Sequence, residues 1–144
     1  MKNITLKDFI TYAKNGEIKG RNSLVLNATL PLFVVAVRGA VMEANEDINK
    51  NSKGIKGKSK FKPLSFDEFL KYCEEIPQEF VKKYTGIDEL KVSLETMKLE
   101  EDGRNFLYQQ EWEKARQTFM KLLFCLLMFM IAETNRQRQE EQGE

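Results

Sequence analysis

Histidine is absent from this chain of 144 residues, cysteine occurs twice, proline three times and tryptophan once. Without imidazole the chain cannot build a Ser-His-Asp or Cys-His nucleophile, a histidine-ligated metal site or an imidazole pH switch from its own residues. Cys73 and Cys125 are too few for a thiolate zinc site or a disulfide framework, and both sit among apolar neighbours as reduced core thiols do. An excess of one charge is also missing, because 23 basic residues face 22 acidic ones. Long apolar runs are missing too. The longest, Leu122 to Ala132, has 11 residues, whereas a spanning helix needs roughly 17–25. A membrane is therefore not an expected partner, and Leu122 to Ala132 reads as part of a buried helix. Met1 to Asp8 contains no apolar core of a signal peptide, so a cytoplasmic location is expected.

What is present describes a globular protein, with 42% hydrophobic and 31% charged residues. The length suits one domain, taken as residues 1–135 with a polar tail over 136–144. The neutral charge sum hides an asymmetry. Residues 1–62 carry twelve basic and five acidic side chains, and residues 63–144 carry eleven basic and seventeen acidic ones. Such a division marks either an interaction surface or two halves that attract each other.

Every segment long enough to judge has a helical period. Thr5 and Asp8 open a first helix that Gly16 closes in a left-handed exit. Residues 20–28 are ambiguous between a short strand and a helical turn. Thr29 is placed to cap a second helix with Pro31 in its first turn, where a missing N–H is harmless. Its seam, Leu30, Val34, Val37, Val41, Ala44 and Ile48, repeats at spacings of four and three, and the remaining faces are also apolar. That predicts a helix at the centre of a bundle. Residues 49–63 read as a lysine-rich linker. Leu64-Ser65-Phe66-Asp67-Glu68-Phe69 then combines a capping box with a hydrophobic staple and starts a third helix. A short fourth helix follows Pro77, and a fifth starts at Asp88 with Leu90, Leu94 and Met97 in line. Asp102-Gly103 predicts a turn. The last helix is expected from about Asn105 to Arg138, with Tyr108, Trp112, Ala115, Phe119, Leu122, Leu126 and Phe129 as its seam. The expected fold is therefore all-α, a compact bundle of five to six helices ending in a long C-terminal one.

No motif supplies a nucleophile with its base. Gly54-Ile55-Lys56-Gly57-Lys58-Ser59 lacks the earlier glycine of a phosphate-binding loop, because position 52 is serine, and no strand precedes it. The three strands of a KH domain are likewise missing around its Gly-x-x-Gly. The acid pairs lie off the apolar stripes, and Asp67 and Glu68 are better placed at a helix N-terminus. No cofactor, metal or catalytic residue is expected. Two functional candidates remain. Lys50, Lys53, Lys56, Lys58, Lys60 and Lys62 can follow a phosphate backbone without reading its sequence. Tyr108, Trp112 and Arg116 can anchor a protein partner on an over-long helix. The leading expectation is a non-enzymatic protein-interaction subunit, an adaptor or inhibitor within a larger assembly or a self-associating protein. Its size and helical make-up match many phage and mobile-element accessory proteins. Sequence-independent nucleic-acid binding is the alternative.

Overall fold

The computed structural model describes residues 3–16, 23–52 and 61–142, and all regular structure among them is α-helical. Six helices follow one another: α1 (Leu6–Asn15), α2 (Ser23–Ser52), α3 (Phe66–Glu75), α4 (Gln78–Tyr84), α5 (Glu89–Tyr108) and α6 (Trp112–Gln142). The bundle forms around α6. Between Ala115 and Ala132 this helix buries Phe119, Leu123, Phe124, Leu127, Met128 and Ile131, which point to several sides at 100° per residue. Tyr72 of α3 and Tyr84 of α4 both meet Phe124 edge-on, at ring-centroid distances of 6.4 and 5.9 Å. Helix α5 returns antiparallel along α6, and α2 is a second antiparallel neighbour, with its Thr29 end at Arg138 and its Ile48 end near Phe119.

Several boundaries differ from those expected. Helix α5 runs straight through Asp102-Gly103 to Tyr108, and the turn falls at Gln109–Glu111. Gly103 serves packing instead of turning. A Cβ there would come within 2.8 Å of the Phe119 ring, so glycine lets α5 and α6 approach closely. The true turn is a Schellman closure without glycine. The Glu111 N–H donates to the Phe106 carbonyl, the Gln110 N–H donates to the Leu107 carbonyl, and Gln110 takes a φ of 59°. Tyr108 and Trp112 thus belong to different helices, and the expected seam across them is broken.

Helix α2 starts at Ser23, not Thr29, so the ambiguous residues from Ser23 onward are helical and Pro31 lies inside the helix. Proline has no N–H to offer the carbonyl of Asn27, yet burial of Leu26 and Leu30 on either side holds the earlier turns in place. At its other end α2 takes in Asn49 to Ser52, four residues of the expected linker. It is also peripheral. Leu32, Val35 and Met42 are about two-thirds exposed, so α2 does not take the central place expected for it. The polar tail is helical to Gln142, where Arg136 donates to the carbonyls of Gly86 and Ile87 and Arg138 donates to the Thr29 hydroxyl at 2.8 Å.

Other local signals read as expected. Thr5 and Asp8 form a reciprocal capping box, and the Ser65 and Asp88 side chains accept from the N–H groups of Glu68 and Lys91. At α3 only the serine half of the box forms, because the Glu68 carboxylate turns to Arg116. Two extended segments are each clamped by one amide. Asn135 exchanges both hydrogen bonds with the backbone of Ile4, at 2.9 and 2.8 Å, and Asn45 does the same with Leu64 at 2.9 Å each.

Three substitutions test this packing by urea denaturation. Gln110→Gly should stabilise the fold by about 0.5–1 kcal/mol, since it relieves a left-handed non-glycine residue. Gly103→Ala should destabilise by about 1 kcal/mol despite its better helix propensity, because the methyl group meets Phe119. Asn45→Ala should cost about 1–3 kcal/mol, as it leaves the Leu64 N–H and carbonyl without partners.

Candidate functional site on the outer face of two helices

Of the lysines singled out from the sequence, Lys53, Lys56, Lys58 and Lys60 lie outside the described residues. Lys50 and Lys62 flank that segment, and both are exposed. The two roots are firmly held. Ser52 donates to the Ile48 carbonyl at 2.7 Å, Asn45 clamps Leu64, and Phe61 packs edge-on against Phe119 at 6.5 Å. Acidic side chains stand close by: Lys62 pairs with Glu68 at 3.7 Å, and Asp47 lies one turn before Lys50.

Tyr108, Trp112 and Arg116 are not gathered on one face. Tyr108 is exposed at the end of α5, and Trp112 is half-buried at the start of α6. Arg116 is almost covered. Its guanidinium donates to the carbonyls of Lys62 and Pro63, pairs with Glu68 and lies over the Phe61 ring at 5.9 Å. It joins the exit of the lysine segment to α3 and α6, and its donors are already engaged within the chain.

A different surface emerges from the helix register. On α5, Val92, Leu99, Gly103 and Leu107 face α6, so the stripe of Leu90, Leu94 and Met97 points away from it and is 60–71% exposed. On α2, Leu30, Phe33, Val37 and Ile48 are buried, and Leu32, Val35 and Met42 lie on the opposite side at 64–69% exposure. Both helices run parallel beside α6 and touch each other, with the two stripes on their outer sides. Their heights also match. Ile48 and Gly103 both flank Phe119. Six residues earlier stand Met42 and Met97, and thirteen residues earlier stand Val35 and Leu90. At about 1.5 Å per residue each pair is level.

Between these ridges lie two small exposed residues, Ala36 and Ser93. Toward the C-terminal ends of the ridges lies a cavity of about 160 Å³. Ala40 and Ala44 form one wall, and the half-buried Leu122 and Leu126 of α6 line it as well. Glu43, Asp47, Glu100 and Arg104 surround the mouth, with Arg104 paired to Glu100. The sequence held a signal for this face that the reading above missed. Ala28, Leu32, Val35, Gly39 and Met42 form a second series at spacings of four and three, alongside the core seam of the same helix. One helix with two seams has a use for only one of them in its own core.

Burial pushes the Cys73 thiol up to about 12, helped by the Glu74 carboxylate, and pushes Cys125 up to about 11, helped by Glu95. Burial likewise raises Tyr84, whose hydroxyl donates to Glu95 at 3.2 Å. Among the described residues no three or more acidic or cysteine side chains are grouped to hold a metal ion. Two helical stretches, Leu26–Ser52 and Trp112–Glu141, are long and apolar enough to cross a membrane, with 28% and 56% of their apolar windows buried in the bundle. Comparison with protein families, curated proteins and solved structures finds no match to the chain.

The thiols give a pH test. Both are held protonated above the ordinary value of 9.0, so their contribution to stability is complete below pH 9. It is lost as pH rises through about 11 to about 12. The urea midpoint should therefore fall above pH 9, and should fall less steeply in Cys73→Ala. At pH 8 neither thiol should react with a disulfide reagent until the chain is unfolded.

Proposed function

We propose that the chain is a non-enzymatic interaction subunit, an adaptor or inhibitor, that docks on a partner protein through the outer face of α2 and α5. The observation that carries this reading is the set of six large apolar side chains, three on each of two parallel helices and each at least 60% exposed. Single exposed leucines are ordinary on a soluble protein. Six in two adjoining rows offer on the order of 600 Å² of apolar surface, at the upper end for the largest patch of a monomer. That area also approaches the roughly 800 Å² that one partner contributes to a standard interface. Tyr108 extends the α5 row toward the turn and adds an exposed ring.

The reading predicts that a Leu32→Glu and Leu94→Glu double variant folds normally, with stability within about 1 kcal/mol of the parent, because neither side chain is part of the core. Affinity capture from the source cells, with both proteins as bait, should recover a partner with the parent chain and lose it with the variant. Recovery of the same proteins by both baits would overturn the assignment to this face.

Sequence-independent nucleic-acid binding through Lys50 to Lys62 is supported by a run of six lysines with no acid among them. Glu68 and Asp47 stand against it at the two roots. Fluorescence anisotropy with labelled DNA and RNA separates the two readings. If the lysines bind phosphate, log affinity should fall with log salt at a slope of roughly −3 to −5, and the slope should shrink when Lys53, Lys56, Lys58 and Lys60 become Gln.

A further inference from the structure

We infer that the chain forms a reversible dimer in which α2 pairs antiparallel with α2 of a second copy along Ala28, Leu32, Val35, Gly39 and Met42. The inference goes beyond the docking function proposed above, because it assigns the α2 row to a second copy and does not need the α5 row. Three observations carry it. The first is the seam. These residues repeat at spacings of four and three, the period at which one helix meets another, and each of them is exposed. Gly39 lies in line with the large side chains and has nothing of its own chain within 4 Å of where a Cβ would stand. Glycine weakens a helix interior, and no contact within the chain calls for it here. In a helix pair it lets two backbones approach closely.

The second observation is the order of sizes. Two copies related by a two-fold axis midway between Leu32 and Val35 set Leu32 level with Val35 of the second copy, and Ala28 level with its Gly39. Large side chains meet at the centre and small ones meet on either side, so the surface fits itself. Met42 then reaches past Ala28 to the first turns of the second α2. From Met42 of one copy to Met42 of the other is seventeen residues, about 26 Å. A helix pair of that length encloses roughly 500 Å² on each copy and roughly 1,000 Å² in all, the area of a weak and reversible interface.

The third observation is charge. From Ser23 to Val37 α2 carries no charged residue, whereas Glu46 continues the seam one turn after Met42, and Lys50 follows one turn later. A parallel pair sets Glu46 against Glu46 and Lys50 against Lys50. The antiparallel pair sets both against an uncharged end, where the N-terminal N–H groups of the second α2 also favour the Glu46 carboxylate. Arg38 is drawn off the seam, with its guanidinium over the Phe66 ring at 4.2 Å.

Sedimentation velocity of the whole protein over roughly 1–200 μM tests the dimer. The parent should pass from monomer to dimer with a Kd on the order of tens of micromolar. Leu32→Glu should weaken the dimer by about tenfold or more, and Leu94→Glu should leave it unchanged. Both residues are exposed, so both variants keep the fold, which far-UV circular dichroism checks. Ala28→Cys and Gly39→Cys read the direction of pairing, since Cys73 and Cys125 are buried. Under mild oxidation a mixture of these two variants should give disulfide-linked dimer, and neither variant alone should do so. A parent that stays monomeric, a dimer that survives Leu32→Glu or is lost equally in Leu94→Glu, or cross-linking by either cysteine variant alone would overturn the inference. Flotation with phosphatidylglycerol vesicles that Leu32→Glu abolishes, in place of a dimer, would overturn it in favour of a bilayer. The capture experiment, repeated with Leu94→Glu alone, decides the docking function whatever the oligomeric state.

Discussion

Between Ala115 and Ala132, α6 has no side to leave in water. Its large apolar residues point to every quarter of the helix circumference, and burying each one contributes about 1.5–3 kcal/mol. A helix of this kind needs neighbours on all sides, and no single helix can cover more than one of them. The remaining elements are therefore arranged as its cover. Helix α5 lies along it in an antiparallel hairpin, α2 closes a second side, and α3 and α4 supply Tyr72 and Tyr84 to opposite parts of Phe124. The amide clamps of Asn45 and Asn135 fix the extended segments that carry Leu64 and Ile4 into the same core.

The outer face follows from that arrangement. A helix can offer a covering role on only one side, so any apolar residue on the other side of α2 or α5 remains outside. Because both helices cover the same neighbour in the same direction, their outer residues fall into register automatically. Gly103 and the Schellman closure at Gln110 fix the height of α5 on α6, while the Ile48 end of α2 meets the same Phe119. The level pairing of Met42 with Met97 and of Val35 with Leu90 is thus a consequence of core packing.

Helix type and the starts of α1, α3 and α5 were legible because they depend on local chemistry. Thr5, Ser65 and Asp88 cap helices through side-chain oxygens within three residues, and each cap is present. Orientation and helix ends were less legible, because they depend on partners distant in the chain. Asp102-Gly103 has the composition of a turn, but its conformation is decided by the Phe119 ring sixteen residues away. Gln109-Gln110-Glu111 has no turn composition, yet the end of the α5–α6 contact requires one there. Pro31 looks like a first-turn residue until burial of Leu26 is known. On α5 the sequence sets Leu90, Leu94 and Met97 in line, yet the side that packs is the quieter set of Val92, Leu99, Gly103 and Leu107. Of the candidate sites, the lysine run was visible from composition. The apolar face was not, because it belongs to two helices separated by α3 and α4.

The division of charge between the halves of the chain also takes on a different meaning. Lys14 of the basic half pairs with Glu74 of the acidic half, and Lys62 approaches Glu68 at 3.7 Å. Arg116, from the acidic half, reaches back to the carbonyls of Lys62 and Pro63 and fastens the end of the lysine segment to α3. Part of the asymmetry that suggested an external polyanion therefore acts inside the molecule, between α1 and α3 and at the root of the segment. Among the described residues, the acids at the α2–α5 cavity form one ion pair, Glu100 with Arg104. Asp47, Ile48 and Asn51 line that cavity together with Phe119, so the acids there stand beside the start of the lysine-rich residues.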